Sequence, residues 1–394
     1  MSWAPWLRYP RMQPFLRFWQ RRDPSTLWLL IILILGAGLR FYHLGYNSFW
    51  LDEAGVAYAA GAESLSKMLE VVRSHVLAMP LDYFVVWVVG RFSLQEAALR
   101  IPAALWGIGS LYLAYRLYRK FVSAVPALFA LLILTFSPLH IQYSQELRFY
   151  SSLVFFYLLS TLLLWDALQE PSRKRWGVFL FATIIGIYFH PYVIFALANG
   201  LVWLVLRPQG NAQARAQRTT FLFCAILSLL AFLIGYLTFS ASNTFKIPLM
   251  VFEDSPVEAI AIGLGWLPFY LGAPGLSWVW GITCAVLEMT GIASVLKAAR
   301  RSQLSGVVYS VLLQFAAVLG ADLLQHYFFA PRQLLMLLPF LCLFAGIGVE
   351  TILQQLVQWV SARNGQAISA TACRMVAGLA ACLLVAISLP AIQA

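Results

Sequence analysis

The amino-acid sequence reads as an all-α polytopic membrane protein with about eleven transmembrane helices. Of its 394 residues, 61% are hydrophobic and only 11% charged, far from the roughly 25% charged of an ordinary soluble domain. Apolar runs long enough to cross a bilayer, about 20 residues each, recur along the chain without a low-complexity tract or long linker between them. Arginines and lysines fall in short clusters between those runs, which is how cytoplasmic loops are marked. One transmembrane domain over residues 1–394 is the expected organisation.

Residues 1–25 form a basic arm carrying Arg8, Arg11, Arg17, Arg21 and Arg22, with prolines at 5, 10, 14 and 24 and no apolar core before residue 27. That pattern does not make a cleavable signal peptide, so the first apolar helix is expected to remain as an anchor. Spans follow at 26–44, 97–115, 121–139, 149–168, 177–190, 192–206, 219–238, 276–296, 305–321, 333–352 and 375–392. With the N-terminus inside, the clusters Arg116/Arg119/Lys120, Arg173/Lys174/Arg175, Arg207/Arg215/Arg218, Lys297/Arg300/Arg301 and Arg363/Arg374 all face the cytoplasm. Most acids, among them Asp52, Glu53, Glu63, Glu70, Asp82 and Glu146, fall on the opposite side. Residues 177–206 leave little length for two passes and break at His190-Pro191, so irregular backbone is expected to line a polar cavity or be buried in protein there. The stretch 256–275 is long enough to span, but its glycines and prolines suit an interfacial segment, and it is kept outside.

The formal charge of +11 is explained by orientation in the bilayer, which excludes nucleic acid as a partner. The five cysteines, Cys224, Cys284, Cys342, Cys373 and Cys382, lie in or beside apolar runs without CxxC spacing, and read as small core residues.

Chemistry concentrates on the expected outer face. The loop 45–96 opens with "NSFWLDEAGVAYAA", where Asp52 and Glu53 are adjacent. Two partly buried carboxylates side by side disfavour the second ionisation, so one could accept a proton near neutral pH. The turn "SPLHIQYSQELRFYSS" crowds His140, Gln142, Tyr143, Glu146, Arg148 and Tyr150 between apolar helices. Arg332 stands at the start of a helix, where a planar guanidinium and first-turn amides suit a phosphate. Blander readings stand beside these. The acids could be solvated loop residues, Arg148 could simply pair with Glu146, and Arg332 could be an interfacial side chain reaching for water. Glu288, inside a span, is either functional or a neutral hydrogen-bonded acid.

The stretches "FWLDEAGVAYAA", "EAALRIPAALWGIGSLYLAYRLYRK", "SPLHIQYSQELRFYSSLVFFYLLS", "YFHPYVIFALAN" and "FFAPRQLLMLLPFL" resemble the GT-C glycosyltransferases of the protein mannosyltransferase and aminoarabinose transferase type, glycosyltransferase family 39. The resemblance implies GT-C architecture, with juxtamembrane helices in the first outer loop. It implies an enzyme that moves a sugar from a polyprenyl phosphate carrier to an acceptor hydroxyl on the outer side of the membrane. By position, Asp52 resembles the family's general base, and Glu53 its partner in placing the acceptor. Arg332 and Arg148 would stabilise the lipid phosphate, and Glu146 would position sugar or cation; His190, in "YFHPY", joins them as a substrate-binding candidate.

The chain departs from the family where relatives carry a His-Pro-Pro motif. Here the stretch is "AMPLDYF", without the histidine and with Asp82 nearby. No metal and no cofactor is assigned, and a divalent cation is left as an option. The expected partners are the lipid-linked donor, a hydroxyl acceptor that is a protein, lipid or glycan, and membrane lipids. The expected location is the cell membrane, with the site extracytoplasmic. The rival class is a transporter or flippase for a lipid-linked sugar, which should place its charged residues near the bilayer midplane on broken, repeated helices.

Overall fold

A computed structural model describes residues 24–75, 78–206, 212–239, 278–298, 303–325, 331–364 and 370–393. The expectations for the arm up to residue 23 and for 256–275 lie outside the described residues. Among those described there is no strand. The helices are α1 (Pro24–Phe41), α2 (Leu51–Ala60), α3 (Leu65–Ser74), α4 (Pro80–Gly90), α5 (Glu96–Phe121), α6 (Ala124–Thr135), α7 (Pro138–Gln145), α8 (Tyr150–Gln169) and α9 (Arg173–Phe189). They continue with α10 (Ala196–Leu206), α11 (Ala212–Phe239), α12 (Trp278–Ala298), α13 (Gln303–Gln325), α14 (Leu338–Asn364) and α15 (Ala370–Gln393). Single 3₁₀ turns at Pro191–Phe195 and Pro331–Leu337 lead into α10 and α14.

Six described helices, α5, α8, α11, α12, α13 and α14, are long and apolar enough to cross a membrane. A seventh arises if α6 and α7 are one span bent by 55°. A helix also lies at each of the other expected segments, in α1, α9, α10 and α15. These are shorter or less apolar, so six or seven crossings rest on helix length and composition, and eleven remains the sequence's expectation.

Local chemistry sets the breaks. Ser137 caps α7 by accepting from the His140 amide, and Pro138 takes the first helical position, where no amide is needed. The polar "PLHIQYSQ" stretch is therefore helical rather than a tight turn, and α7 is aimed away from α6. In the first loop, Pro80 likewise starts α4, and Ser64 caps α3 through the Lys67 amide. Glycine permits the closest packing: a Cβ at Gly291 of α12 would collide with the Phe344 carbonyl oxygen, and one at Gly348 of α14 with that of Leu287. These two helices meet backbone to backbone, as small residues allow between membrane helices.

Deep in the bundle, Asn199 of α10 donates to Tyr157 and Thr161 of α8 at 3.2 and 3.0 Å. It accepts from Ser310 and Gln314 of α13, so three helices are tied by neutral polar groups. A second tie joins α1 to α7: the fully buried Arg40 donates to the Gly36 carbonyl and contacts His140 Nδ1 at 2.8 Å, while Ser110 of α5 holds His140 Nε2 at 2.9 Å.

Candidate active site

The N-terminus of α2, the turn after α7, the N-terminus of α8 and the turn before α14 converge at one end of the bundle. Adjacent residues on a helix point about 100° apart, and Asp52 and Glu53 diverge accordingly. Glu53 is 1% exposed. Its Oε1 and Oε2 accept from Arg100 Nε at 2.8 Å and Nη2 at 2.6 Å. The amides of Leu147 and Trp50 add bonds at 2.6 and 3.3 Å. Arg100 of α5 uses its remaining hydrogens on the carbonyls of Leu44, Asn47 and Ser48, and so fixes the chain entering α2. Each carboxylate has its own arginine partners.

Asp52 is 29% exposed, with Arg332 Nη1 at 3.3 Å and Arg148 Nη2 at 3.7 Å from its Oδ2. Arg148 also donates from Nη1 to the Asp52 carbonyl at 2.9 Å, and its guanidinium stacks over Phe149 and Tyr150. Arg332 lies 5.9 Å from the centre of the Tyr150 ring. Both arginines therefore meet a carboxylate. Arg148 pairs with Asp52 rather than Glu146, and Arg332 faces the same acid instead of extending as an isolated interfacial cation.

Glu146 accepts from Gln142 at 2.8 Å on Oε1, while its buried Oε2 finds no donor among the described residues. Burial, with Glu53 nearby, pushes its carboxyl up to about 7 against the opposing pull of Gln142, Arg148 and Arg332. His190 is buried, holds the Tyr192 amide on Nδ1 at 3.1 Å and packs against Phe149 and Tyr150. It lies close to Arg148 without being open to solvent. Asp82, in the first turn of α4, is buried and accepts from Ser152 at 2.9 Å. Burial raises it to about 6, with Ser152 and Arg148 pulling it down.

The structure thus brings together Asp52, Arg148 and Arg332, places Glu146 beside the arginines, and sets Glu53 and His190 behind them. Arg100 and Ser152 escaped sequence reasoning. Arg100 had a signal, since a charge just inside an apolar helix calls for a buried partner. Ser152 had none. Among the described residues no group of three or more His, Cys, Asp or Glu side chains is arranged to hold a metal.

Residues 80–236 match the family model of dolichyl-phosphate-mannose-protein mannosyltransferase, a match that begins after Asp52. The Bacillus subtilis (strain 168) protein YycA, named as a mannosyltransferase, is 27% identical over 173 residues, which is 41% of this chain and 24% of that protein. Among solved structures, apo ArnT from Cupriavidus metallidurans superposes with a TM-score of 0.55 at 15% identity, over 83% of this chain and 60% of that one. ArnT bound to undecaprenyl phosphate gives a TM-score of 0.54 at 14% identity, over 82% of this chain and 60% of that one. The archaeal oligosaccharyltransferase AglB from Archaeoglobus fulgidus, with an inhibitory peptide and a dolichol-phosphate, gives 0.57 at 10% identity, over 96% of this chain and 56% of that one. The chain spans about a quarter of the Bacillus relative and less than two thirds of each structural relative. A bundle with no strand among the described residues, an acid facing two arginines, and these matches lead to one conclusion: the chain shares the GT-C fold of ArnT and AglB, and over residues 80–236 it is similar to the dolichyl-phosphate-mannose-protein mannosyltransferases.

Proposed function

We propose that the chain is a membrane glycosyltransferase that moves a monosaccharide from a polyprenyl phosphate carrier to an acceptor hydroxyl on the extracytoplasmic face of the cell membrane. The reading rests on one observation: Asp52, Arg148 and Arg332, from three separated stretches of chain, meet in one part-exposed ion-pair cluster. ArnT and AglB have been solved with undecaprenyl phosphate and dolichol-phosphate, which supports a lipid-linked donor.

The long Arg332–Asp52 and Arg148–Asp52 contacts are ones a phosphate can replace, because a guanidinium meets phosphate oxygens with shorter, paired bonds. When the donor phosphate takes the arginines, Asp52 is released to act as general base. It accepts the proton of the acceptor hydroxyl while that oxygen bonds to the anomeric carbon and the bond from that carbon to the phosphate oxygen breaks. The phosphate leaves with one further negative charge, stabilised by Arg148 and Arg332. Glu146, whose buried Oε2 has no donor among the described residues, is the group to accept from a donor-sugar hydroxyl. Glu53 acts through Arg100 to hold Asp52 in place.

The test is to incubate purified protein with a panel of polyprenyl phosphate sugars and measure release of the free lipid phosphate. Asp52→Asn should lower turnover by roughly 10²–10⁴-fold, the usual weight of a general base, with thermal stability unchanged. Equal turnover by wild type and variant removes Asp52 from the mechanism. No turnover of any donor, together with movement of lipid across vesicles, favours the transporter.

A further inference from the structure

Tyr150, the first residue of α8, is met by both arginines of the site and has no part in the reaction above. The centre of its ring lies 5.7 Å from Arg148 Cζ and 5.9 Å from Arg332 Cζ, within the roughly 6 Å over which a ring face attracts a cation. Arg148 also lies over Phe149, at 4.5 Å. Tyr150 is the ring that the two arginines have in common.

This ring is held from several sides. It belongs to a residue that is 7% exposed, and it packs against Tyr143 of α7 at 5.1 Å, Phe149 at 5.1 Å and His190 at 5.9 Å. The next two residues pin the helix start, Ser151 donating to the Ala103 carbonyl of α5 at 2.7 Å and Ser152 to Asp82 of α4 at 2.9 Å. The two guanidiniums arrive from different stretches of chain, each at the end of a long, rotatable side chain.

A site for one phosphate needs both guanidiniums close together before the ligand arrives. Their like charges resist that. Asp52 offsets the repulsion through its contacts at 3.3 and 3.7 Å, but in the reaction above it yields both arginines to the phosphate. The ring stays. Its negative face attracts both cations without occupying their N–H groups, which remain for phosphate oxygens.

We propose that Tyr150 is a positioning residue for the donor phosphate, its ring holding Arg148 and Arg332 side by side with or without the ligand. The inference rests on the lipid-phosphate reading of the site. The ring face acts, and the hydroxyl is dispensable.

The experiment measures direct binding of polyprenyl monophosphate to the full chain in detergent, with donor KM and kcat, for wild type, Tyr150→Phe and Tyr150→Leu. Tyr150→Leu should weaken monophosphate binding and raise donor KM about tenfold, the weight of two cation–π contacts, while Tyr150→Phe stays within about twofold of wild type. In an Arg332→Ala background, Tyr150→Leu should cost only about threefold, because one of the two cations is gone. A merely structural role would carry the full loss into that background. If Tyr150→Leu does not fold, Tyr150→Met, which fills the space without a ring, carries the same expectation. Equal losses in Tyr150→Phe and Tyr150→Leu, unchanged binding in Tyr150→Leu, or an undiminished loss without Arg332 overturns the inference while wild type still binds the monophosphate. A wild-type chain that binds no polyprenyl monophosphate overturns the donor reading and this inference with it.

Discussion

At Glu53 the carboxylate is enclosed and Arg100 grips it through two short bonds, with four backbone carbonyl or amide groups around them at 3.3 Å or less. At Asp52, one residue earlier on α2, the carboxylate is part-exposed and its two arginines stand at 3.3 and 3.7 Å. Both are acid–arginine sites built on the same helix turn. The first is saturated, so it can only hold the chain together. The second is incompletely bonded: Arg148 Nε is buried with no acceptor among the described residues, and neither arginine contact to the carboxylate is short. Unused bonding capacity in a part-exposed cluster is what a ligand can take up.

Breaking the closed site should have the largest effect on the protein itself. Arg100→Leu leaves Glu53 buried and uncompensated, at a cost of about 3–5 kcal/mol, and strips three carbonyls of their donor. The expected outcome is a large loss of thermal stability or folded yield in detergent, with Asp52→Asn showing no such loss. If Arg100→Leu melts like wild type, the distinction between clamp and pocket fails.

Arg332→Lys sharpens the comparison from the open side. A point charge replaces a planar fork, and a guanidinium at a bidentate site is not interchangeable with an ammonium. Donor KM should rise about tenfold, the weight of one charge-assisted hydrogen bond, with melting temperature unchanged. An effect on stability alone would class Arg332 with Arg100.

The smallest effect concerns pH. The Glu146 carboxyl lies near 7, so it is ionised above that value and protonated below it. If Oε2 accepts from a sugar hydroxyl, donor KM falls as pH rises through about 7, and Glu146→Gln flattens that limb. A variant that keeps the limb assigns it to another group.

Much of this architecture is written in local pattern. The apolar runs place a helix at each expected span, Pro80 and Pro138 mark two helix starts, and Asp52, Arg148 and Arg332 are visible as charges beside apolar segments. What the pattern hides is pairing. The bond from Arg100 to Glu53 closes a loop of 47 residues, and that from Arg332 to Asp52 closes one of 280. No periodicity registers such distances. The neutral tie of Tyr157, Asn199 and Gln314 is equally silent, because single polar residues in apolar helices look alike until their faces are known.

The amino-acid sequence by itself determined that the chain is a membrane helix bundle, because the cost of exposing backbone or charge to lipid acts on each segment separately. Only the tertiary structure decided that Glu53 is tied down, that Asp52 is the acid facing both arginines, and that Asp82 is enclosed with Ser152 as its partner. The physical reason is that an acid's role follows from which guanidinium reaches it and how much water remains, and both are properties of packed helices rather than of neighbours in the chain.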